Sequence, residues 1–159
     1  MSDLTLEEQA TNAETWKHIN RVQALLAIVT QRLTHRAVAH DQSKLASPEV
    51  ELFTEFTPKL KKSTYGSEEY EGFRKEMGAA LDHHYANNSH HPEFYKNGVD
   101  DMDLLDIIEM LCDWKAASER HNDGNILKSI ETNKQRFNLS DQMTKILENT
   151  ARTLFNIES

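Results

Sequence analysis

INRVQALLAIVTQRL, residues 19–33, carries the apolar pattern that decides the fold class. Its large apolar side chains recur every three or four residues, as they do along one face of an amphipathic helix. The residues of this stripe are Ile19, Val22, Leu25, Leu26, Val29 and Leu33. We therefore predict a first helix over about residues 13–34.

Helical signals continue after this stretch. We predict a short second helix over about 35–46. The sequence Ser47-Pro48-Glu49 predicts the start of a third helix that reaches about residue 62, because serine caps helices and proline suits the first helical position. Ser67 is the predicted cap of a fourth helix, whose apolar face extends to His84.

The second half of the chain follows the same pattern. Residues 85–99 are loop-like, and a fifth helix is predicted over about 102–121 with the stripe Leu104, Ile107, Ile108 and Leu111. A weaker helix follows near 125–136, and Ser140 is the predicted cap of the last one. No stretch alternates apolar and polar residues as a half-buried strand does.

These elements predict an all-α fold: one helical domain over residues 1–159, with about six or seven helices. Its core is expected within about 13–120, and the C-terminal helices at 125–156 are expected to pack on it. Ile146 and Leu154 on the last helix are expected to pack onto the same domain, although a dimer contact is the alternative.

Composition excludes several function classes. The 159 residues include 26 acids and 18 bases, for a net charge of −8. Long nucleic acid is therefore not an expected partner, since its binders usually carry a basic face. No apolar run approaches the roughly 20 residues of a membrane span, and no signal peptide is recognised. The single cysteine, Cys112, fits a reducing cytoplasm.

Histidines provide the clearest functional signal. Seven of the eight lie between His18 and His91, and they include the pair His40-Asp41 and the doublets His83-His84 and His90-His91. Asp106, Glu109 and Asp113 follow on one predicted helix. Imidazoles and carboxylates together are typical ligands of first-row divalent metals.

The order of these residues resembles that of the HD-domain superfamily of metal-dependent phosphohydrolases. HINRV at 18–22 is similar to the family's first-helix histidine segment, and HDQSKL at 40–45 is similar to the HD-GYP branch. HHYANN at 83–88 and IIEMLCDWKAA at 107–117 resemble that branch's histidine doublet and later aspartate. The GYP signature is absent, since 87–95 reads NNSHHPEFY. The chain also resembles small phage and bacterial proteins with an HDxSK…HHPE layout.

The resemblance implies an all-helical domain that holds one or two divalent ions of Mn, Fe, Co, Ni or Zn. The implied metal ligands are His18, His40, Asp41, His83, His84 and Asp113. His35 is an alternative to His18. His90 and His91 are either further metal ligands, substrate contacts or residues of a surface loop. Asp113 has the alternative of belonging to a solvated acidic face of its helix.

The implied reaction is hydrolysis of a phosphate ester by metal-bound water. Asp41 and Lys44 are the candidate catalytic residues. Substrate contacts are expected from Lys44, Arg36, His90 and His91, with Glu49 or Asp106 as proton carrier. A small nucleotide is the expected substrate.

Two other functions stay open at this point. A di-iron oxygenase would use the same scaffold and ligands. A non-catalytic module of phage type would bind a nucleotide or a protein without turnover. Neither the substrate nor the oligomeric state follows from the sequence.

Overall fold

The structure is a computed structural model, and it describes residues 4–64, 67–120 and 124–157. Within these residues it contains seven α-helices, three short 3-10 helices and no strand, which confirms the predicted all-α class. The α-helices are α1 (Leu6–Ala39), α2 (Glu49–Lys62), α3 (Glu68–Glu76), α4 (Gly78–Asn87), α5 (Leu104–Ser118), α6 (Ile126–Phe137) and α7 (Asp141–Phe155). The 3-10 helices are Gln42–Leu45, Pro92–Phe94 and Gly98–Asp101.

The chain divides into two compact units, one up to Val38 and one from Ala39 onward. The first unit consists of α1, which has no buried residue. The second contains the remaining helices. The prediction of a single domain over 1–159 stays a prediction. No helix in the described ranges is both long and apolar enough to cross a membrane.

Helix α1 is longer than predicted at both ends. It begins near Thr5, whose hydroxyl accepts from the backbone N–H of Glu8 at 3.2 Å, while the Glu8 carboxylate accepts from the Thr5 N–H at 2.7 Å. This reciprocal pair is a capping box, a signal that the sequence contains and the prediction missed. The predicted boundary at residues 34–35 was wrong, because neither glycine nor proline interrupts the chain there.

The chain leaves α1 at the His40-Asp41 pair. Asp41 has φ 56° and ψ 16°, in the left-handed region. Aspartate tolerates this conformation better than most residues, because its short polar side chain can bond locally. The following 3-10 helix, Gln42–Leu45, replaces the short α-helix predicted over 35–46.

The middle helices differ from the prediction in two places. Helix α2 begins at Glu49 with Pro48 as its N-terminal flanking residue, so Ser47 is not the cap. The predicted fourth helix is two helices, α3 and α4, which meet at the buried Met77 next to Gly78. The Ser67 hydroxyl caps α3 as predicted, accepting from the Tyr70 N–H at 3.2 Å.

Helices α5, α6 and α7 pack in sequence to form the main apolar core, so the C-terminal helices do pack on α5. The core residues are Ile107, Met110, Leu111, Trp114, Ile126, Ile130, Leu139, Leu147 and Ala151. Leu104 was wrongly placed in the buried stripe, since it is 76% exposed. Ile146 and Leu154 are also exposed, because α7 buries Leu147 and Ala151 instead. The predicted end of α5 at His121 lies outside the described residues.

Candidate metal centre

Four segments of the second unit bring imidazoles and carboxylates together. His40 and Asp41 follow α1, and His84 lies in α4. His90 and His91 lie directly before the 3-10 helix Pro92–Phe94. Glu109 and Asp113 come from α5, where their spacing of four residues places them on the same face.

The first group of possible ligands consists of Asp41, His84, His90 and His91. Asp41 Oδ1 lies 3.3 Å from His84 Nε2 and 3.5 Å from His90 Nε2, and the Nε2 atoms of His84 and His91 are 2.9 Å apart. Metal–nitrogen bonds of about 2.0–2.1 Å separate ligand atoms by about 2.9 Å at right angles and about 3.4 Å in a tetrahedron. The spacing of these atoms therefore suits one metal ion.

Two atoms of this group are buried without a hydrogen-bond partner among the described residues. They are Asp41 Oδ1 and His90 Nε2, which face each other. Buried polar atoms are nearly always paired, and an unpaired one points to a missing water or ion. A cation would satisfy the carboxylate oxygen and the imidazole lone pair together, so the residues present fit a metal.

Two carboxylates, the buried Glu49 and the partly buried Glu109, contact two of these imidazoles on the side away from Asp41. Glu49 Oε2 lies 2.9 Å from His84 Nδ1, and Glu109 Oε1 lies 3.1 Å from His90 Nδ1. Because a carboxylate only accepts, each Nδ1 donates and each Nε2 keeps its lone pair for a metal. Histidine ligands commonly have such a carboxylate partner, which fixes the ring and its tautomer.

Asn88 agrees with this tautomer of His84. Its amide nitrogen lies 3.0 Å from His84 Nδ1, but its two N–H groups are used elsewhere. One donates to the His84 carbonyl at 2.8 Å and the other to the Ser43 hydroxyl at 2.9 Å. The Nδ1 proton of His84 is thus directed at Glu49.

A second group lies on the other oxygen of Asp41 and consists of His40, Asp41 and Asp113. His40 Nε2 is 3.5 Å from Asp41 Oδ2 and 3.9 Å from Asp113 Oδ1. His40 Nδ1 lies 2.8 Å from Glu109, which repeats the carboxylate–histidine arrangement. One oxygen of the Asp41 carboxylate therefore faces each group.

Burial keeps two imidazoles of the first group neutral. It lowers the pKa of His84, and it lowers the pKa of His91 to about 2, where the neighbouring imidazoles of His90 and His84 add to the effect. Neutral imidazole is the form that binds a metal.

The charge around Asp41 favours its ionised form. Burial alone would raise the pKa of Asp41, but the ammonium of Lys44, which contacts Oδ2, together with His40 and His84 outweighs burial, and the pKa is lowered. The hydrogen bond with Glu109 raises the pKa of His40. Lys44 thus occupies the side of Asp41 that faces the second group.

Among the implied ligands, the structure brings together His40, Asp41, His84 and Asp113. His83 belongs to none of the three ligand groups found among the described residues. Its Nδ1 lies 2.7 Å from Glu49 Oε1, and its side chain is 40% exposed.

His90 and His91 stand among the possible ligands, and His90 is too deeply buried for a surface loop. His18, His35 and Arg36 lie on α1, in the first unit, so their roles at the centre stay predictions.

The structure gives Glu49, Glu109 and Asp106 roles that the sequence analysis missed. Glu49 and Glu109 act on the histidines, and the placement of Glu109 one turn before Asp113 was the available signal. Asp106 is buried and accepts from Ser89 Oγ at 2.7 Å and from the Tyr95 hydroxyl at 2.5 Å. It anchors the segment that carries His90, which argues against its expected role as proton carrier.

A cleft of about 960 Å³ adjoins the centre at Asp41 and Lys44. Lys61 and Arg120 add positive charge to its lining, and Glu119 adds one negative charge. The apolar part of the lining includes Leu45, Val50, Phe53 and Leu60, together with the aromatic ring of Tyr70. This combination suits a ligand with an anionic group near the possible metal ligands.

A family model described as a family of unknown function (DUF5662) matches residues 7–153. No curated protein and no solved structure matches the chain.

Proposed function

The chain belongs to the DUF5662 family of unknown function, and we propose its function from the candidate metal centre. We propose that it is a metal-dependent phosphohydrolase that acts on a small nucleotide or related phosphate ester. One observation carries this proposal. Asp41 Oδ1 and the Nε2 atoms of His84, His90 and His91 converge with spacings of 2.9–3.5 Å, and two of the four atoms lack any other partner among the described residues.

Asp41, His84, His90 and His91 would hold the first ion, and Asp41, His40 and Asp113 a second. Imidazole and carboxylate ligands favour Mn, Fe, Co, Ni or Zn over ions that prefer thiolates. Such an ion lowers the pKa of a bound water and polarises a phosphoryl oxygen. The resemblance of the ligand order to HD domains supports the same chemistry.

Lys44 lies between the candidate metal centre and the cleft that would hold the substrate. Its ammonium contacts Asp41 Oδ2 and lines the cleft, where it can neutralise charge that develops on a phosphate oxygen. Lys61 and Arg120 lie along the same cleft and would hold further phosphate oxygens. The cleft volume is at the upper end of the usual range for small-molecule sites, about 300–1,000 Å³.

The position of Asp41 in two ligand groups would also suit the second candidate, a di-iron oxygenase. Lys44, Lys61 and Arg120 along the cleft favour hydrolysis of a phosphate ester instead, because basic side chains suit an anionic substrate. A module that binds the nucleotide without turnover would use the same cleft.

We expect the protein to act in the cytoplasm. Cys112 is an exposed free thiol, which suits a reducing compartment. The expected ligand is a small phosphorylated molecule, because the net charge of −8 would repel a long polyanion.

The test combines metal analysis of the purified chain with a phosphate-release screen across nucleotides. Asp41→Asn removes the shared ligand with little change of shape and should lower phosphate release at least about a hundredfold. The exposed Asp100 provides the matched control, Asp100→Asn, which should retain wild-type activity.

Equal phosphate release by the wild type and Asp41→Asn would refute the hydrolase proposal. Binding of a nucleotide that stays intact would instead identify the non-catalytic module. Oxygen consumption by a coloured iron-loaded protein would identify the oxygenase.

A further inference from the structure

A second cavity, of about 430 Å³, lies in the same unit and contains none of the candidate metal ligands. Its walls come from the end of α2, from Trp114 on α5 and from one face of α6. It adjoins the cleft described above, since Lys61 and Ala117 line both. Its volume lies within the usual range for small-molecule sites.

Asn133 is the unusual residue of this cavity. Its side chain is 1% exposed, and neither its amide oxygen nor its amide nitrogen has a hydrogen-bond partner among the described residues. An unpaired buried amide is unfavourable, so each such group requires an explanation. Because Asn133 lines the cavity, a ligand with a neighbouring donor and acceptor could pair with both of its amide atoms.

The charge of the cavity indicates an anionic ligand. Lys61, Lys62 and Lys128 contribute to its walls, and no described lining residue is an aspartate or a glutamate. The N-terminus of α6 lies at the same cavity, where Asn125 caps the helix by accepting from the Leu127 N–H at 2.8 Å. The positive end of a helix dipole also favours an anion.

The two features lie at different positions along one helix face. Asn125, Lys128, Ser129, Thr132 and Asn133 follow the three- and four-residue spacing of such a face, and all five line the cavity. At a rise of 1.5 Å per residue, Asn125 and Asn133 are about 12 Å apart along α6. A matching ligand therefore carries its anion at one end and its donor–acceptor edge at the other.

We propose that this cavity is a binding site for a nucleoside monophosphate, separate from the metal centre. The base edge pairs with the Asn133 amide, and the phosphate lies toward Lys128 and the start of α6. Adenine fits this role because its N6 donor and N7 acceptor match an asparagine amide, as in protein–DNA recognition. Trp114 supplies an apolar wall. The proposal does not depend on the proposed hydrolase activity.

The experiment is calorimetric titration of the full chain with adenosine monophosphate, with adenosine and with inorganic phosphate. Adenosine monophosphate should bind more tightly than either fragment. Asn133→Leu keeps the size of the side chain but removes the amide, and it should weaken binding at least about tenfold. The control Asn149→Leu makes the same change at an exposed position of α7 and should leave the affinity unchanged.

Asp41→Asn separates the two sites. It disables the metal centre and should retain the binding that Asn133→Leu removes. Lys128→Gln, compared with the exposed control Lys145→Gln, tests the phosphate end and provides a second readout if Asn133→Leu does not fold. The proposal is overturned if the wild type does not bind adenosine monophosphate, if phosphate alone binds equally well, or if only Asp41→Asn abolishes binding.

Discussion

Glu49 Oε2 lies 2.9 Å from His84 Nδ1, and the Glu49 carboxylate is completely shielded from solvent. Burial alone would raise the pKa of Glu49, but its interactions with His83, Ser43 and His84 together outweigh burial, so the pKa is lowered and the carboxyl stays ionised. The pair orients one imidazole so that its Nε2 atom faces Asp41. A residue at the start of α2 therefore orients a histidine of α4 toward Asp41.

Glu49→Gln should weaken metal binding without removing a ligand. The amide no longer provides a carboxylate acceptor for His84 Nδ1, and loss of such a partner typically costs 10–100-fold in metal affinity. Titration with a competing chelator measures this change. Glu51→Gln, an exposed position of the same helix, is the control and should bind metal as the wild type does. Equal affinities for both variants would contradict the assigned role of Glu49.

The adjacent histidines His83 and His84 should differ in their effect on metal content. Both Nδ1 atoms contact Glu49, but only His84 presents its other nitrogen to Asp41. His84→Ala should therefore purify without the first ion, whereas His83→Ala should retain it. Elemental analysis of the two purified variants gives the result. Metal lost equally from both would mean that His83 is a ligand as the sequence analysis expected.

The Tyr95 phenol should lose its proton at a higher pH than an ordinary tyrosine. Burial and the hydrogen bond to Asp106 raise the pKa of Tyr95 to about 12. The unfolded chain releases this proton near pH 10. Because the folded chain then binds the proton more tightly, this contribution to stability is complete below about pH 10 and is lost as the pH rises to about 12.

Tyrosinate absorbance measured across this pH range tests the assignment of Tyr95. The wild type should show a phenol that ionises near pH 12 and that Tyr95→Phe lacks. The variant also loses the hydrogen bond to the Asp106 carboxylate, so it should be less stable by about 1.5–3 kcal/mol at neutral pH. An unchanged titration curve in the variant would show that this phenol belongs to another tyrosine.

Leu147 and Leu154 lie on the same helix and provide a matched comparison. Leu147 is 1% exposed and belongs to the core, whereas Leu154 is 55% exposed. Leu147→Ala should lower the free energy of unfolding by about 2–5 kcal/mol, because it leaves a cavity between α6 and α7. Leu154→Ala should change it by less than about 0.5 kcal/mol. Denaturant unfolding of both variants is the measurement, and a large loss from Leu154→Ala would indicate that a partner covers this face.

Local signals in the sequence were sufficient for the helical class. Apolar spacing and the serines at 67 and 140 act within a few residues of the chain, and Ser67 and Ser140 each cap the helix that was predicted from them. The local signal failed at Met77, a buried residue at which α3 ends and α4 begins. It also failed at Leu104, because the apolar stripe did not show which turn of α5 faces solvent.

The candidate site depends on contacts between residues that are far apart in the sequence. Residue types and their order pointed to His40, Asp41, His84 and Asp113, because few other residues bind metals. The sequence alone left the roles of His90 and His91 undecided, and it did not predict that Glu49 and Glu109 each contact a histidine. His40 and Glu109 are 69 residues apart, and Glu49 and His84 are 35 apart. No local pattern encodes these pairs.

The amino-acid sequence by itself determined that this protein is built from helices and that it carries an unusual set of imidazoles and carboxylates. Only the tertiary structure decided that a carboxylate holds Nδ1 of His84 and of His90 and that their Nε2 atoms face Asp41. The physical reason is that helix formation depends on neighbours along the chain, whereas the direction of a ligand atom depends on the packing of separate helices against each other.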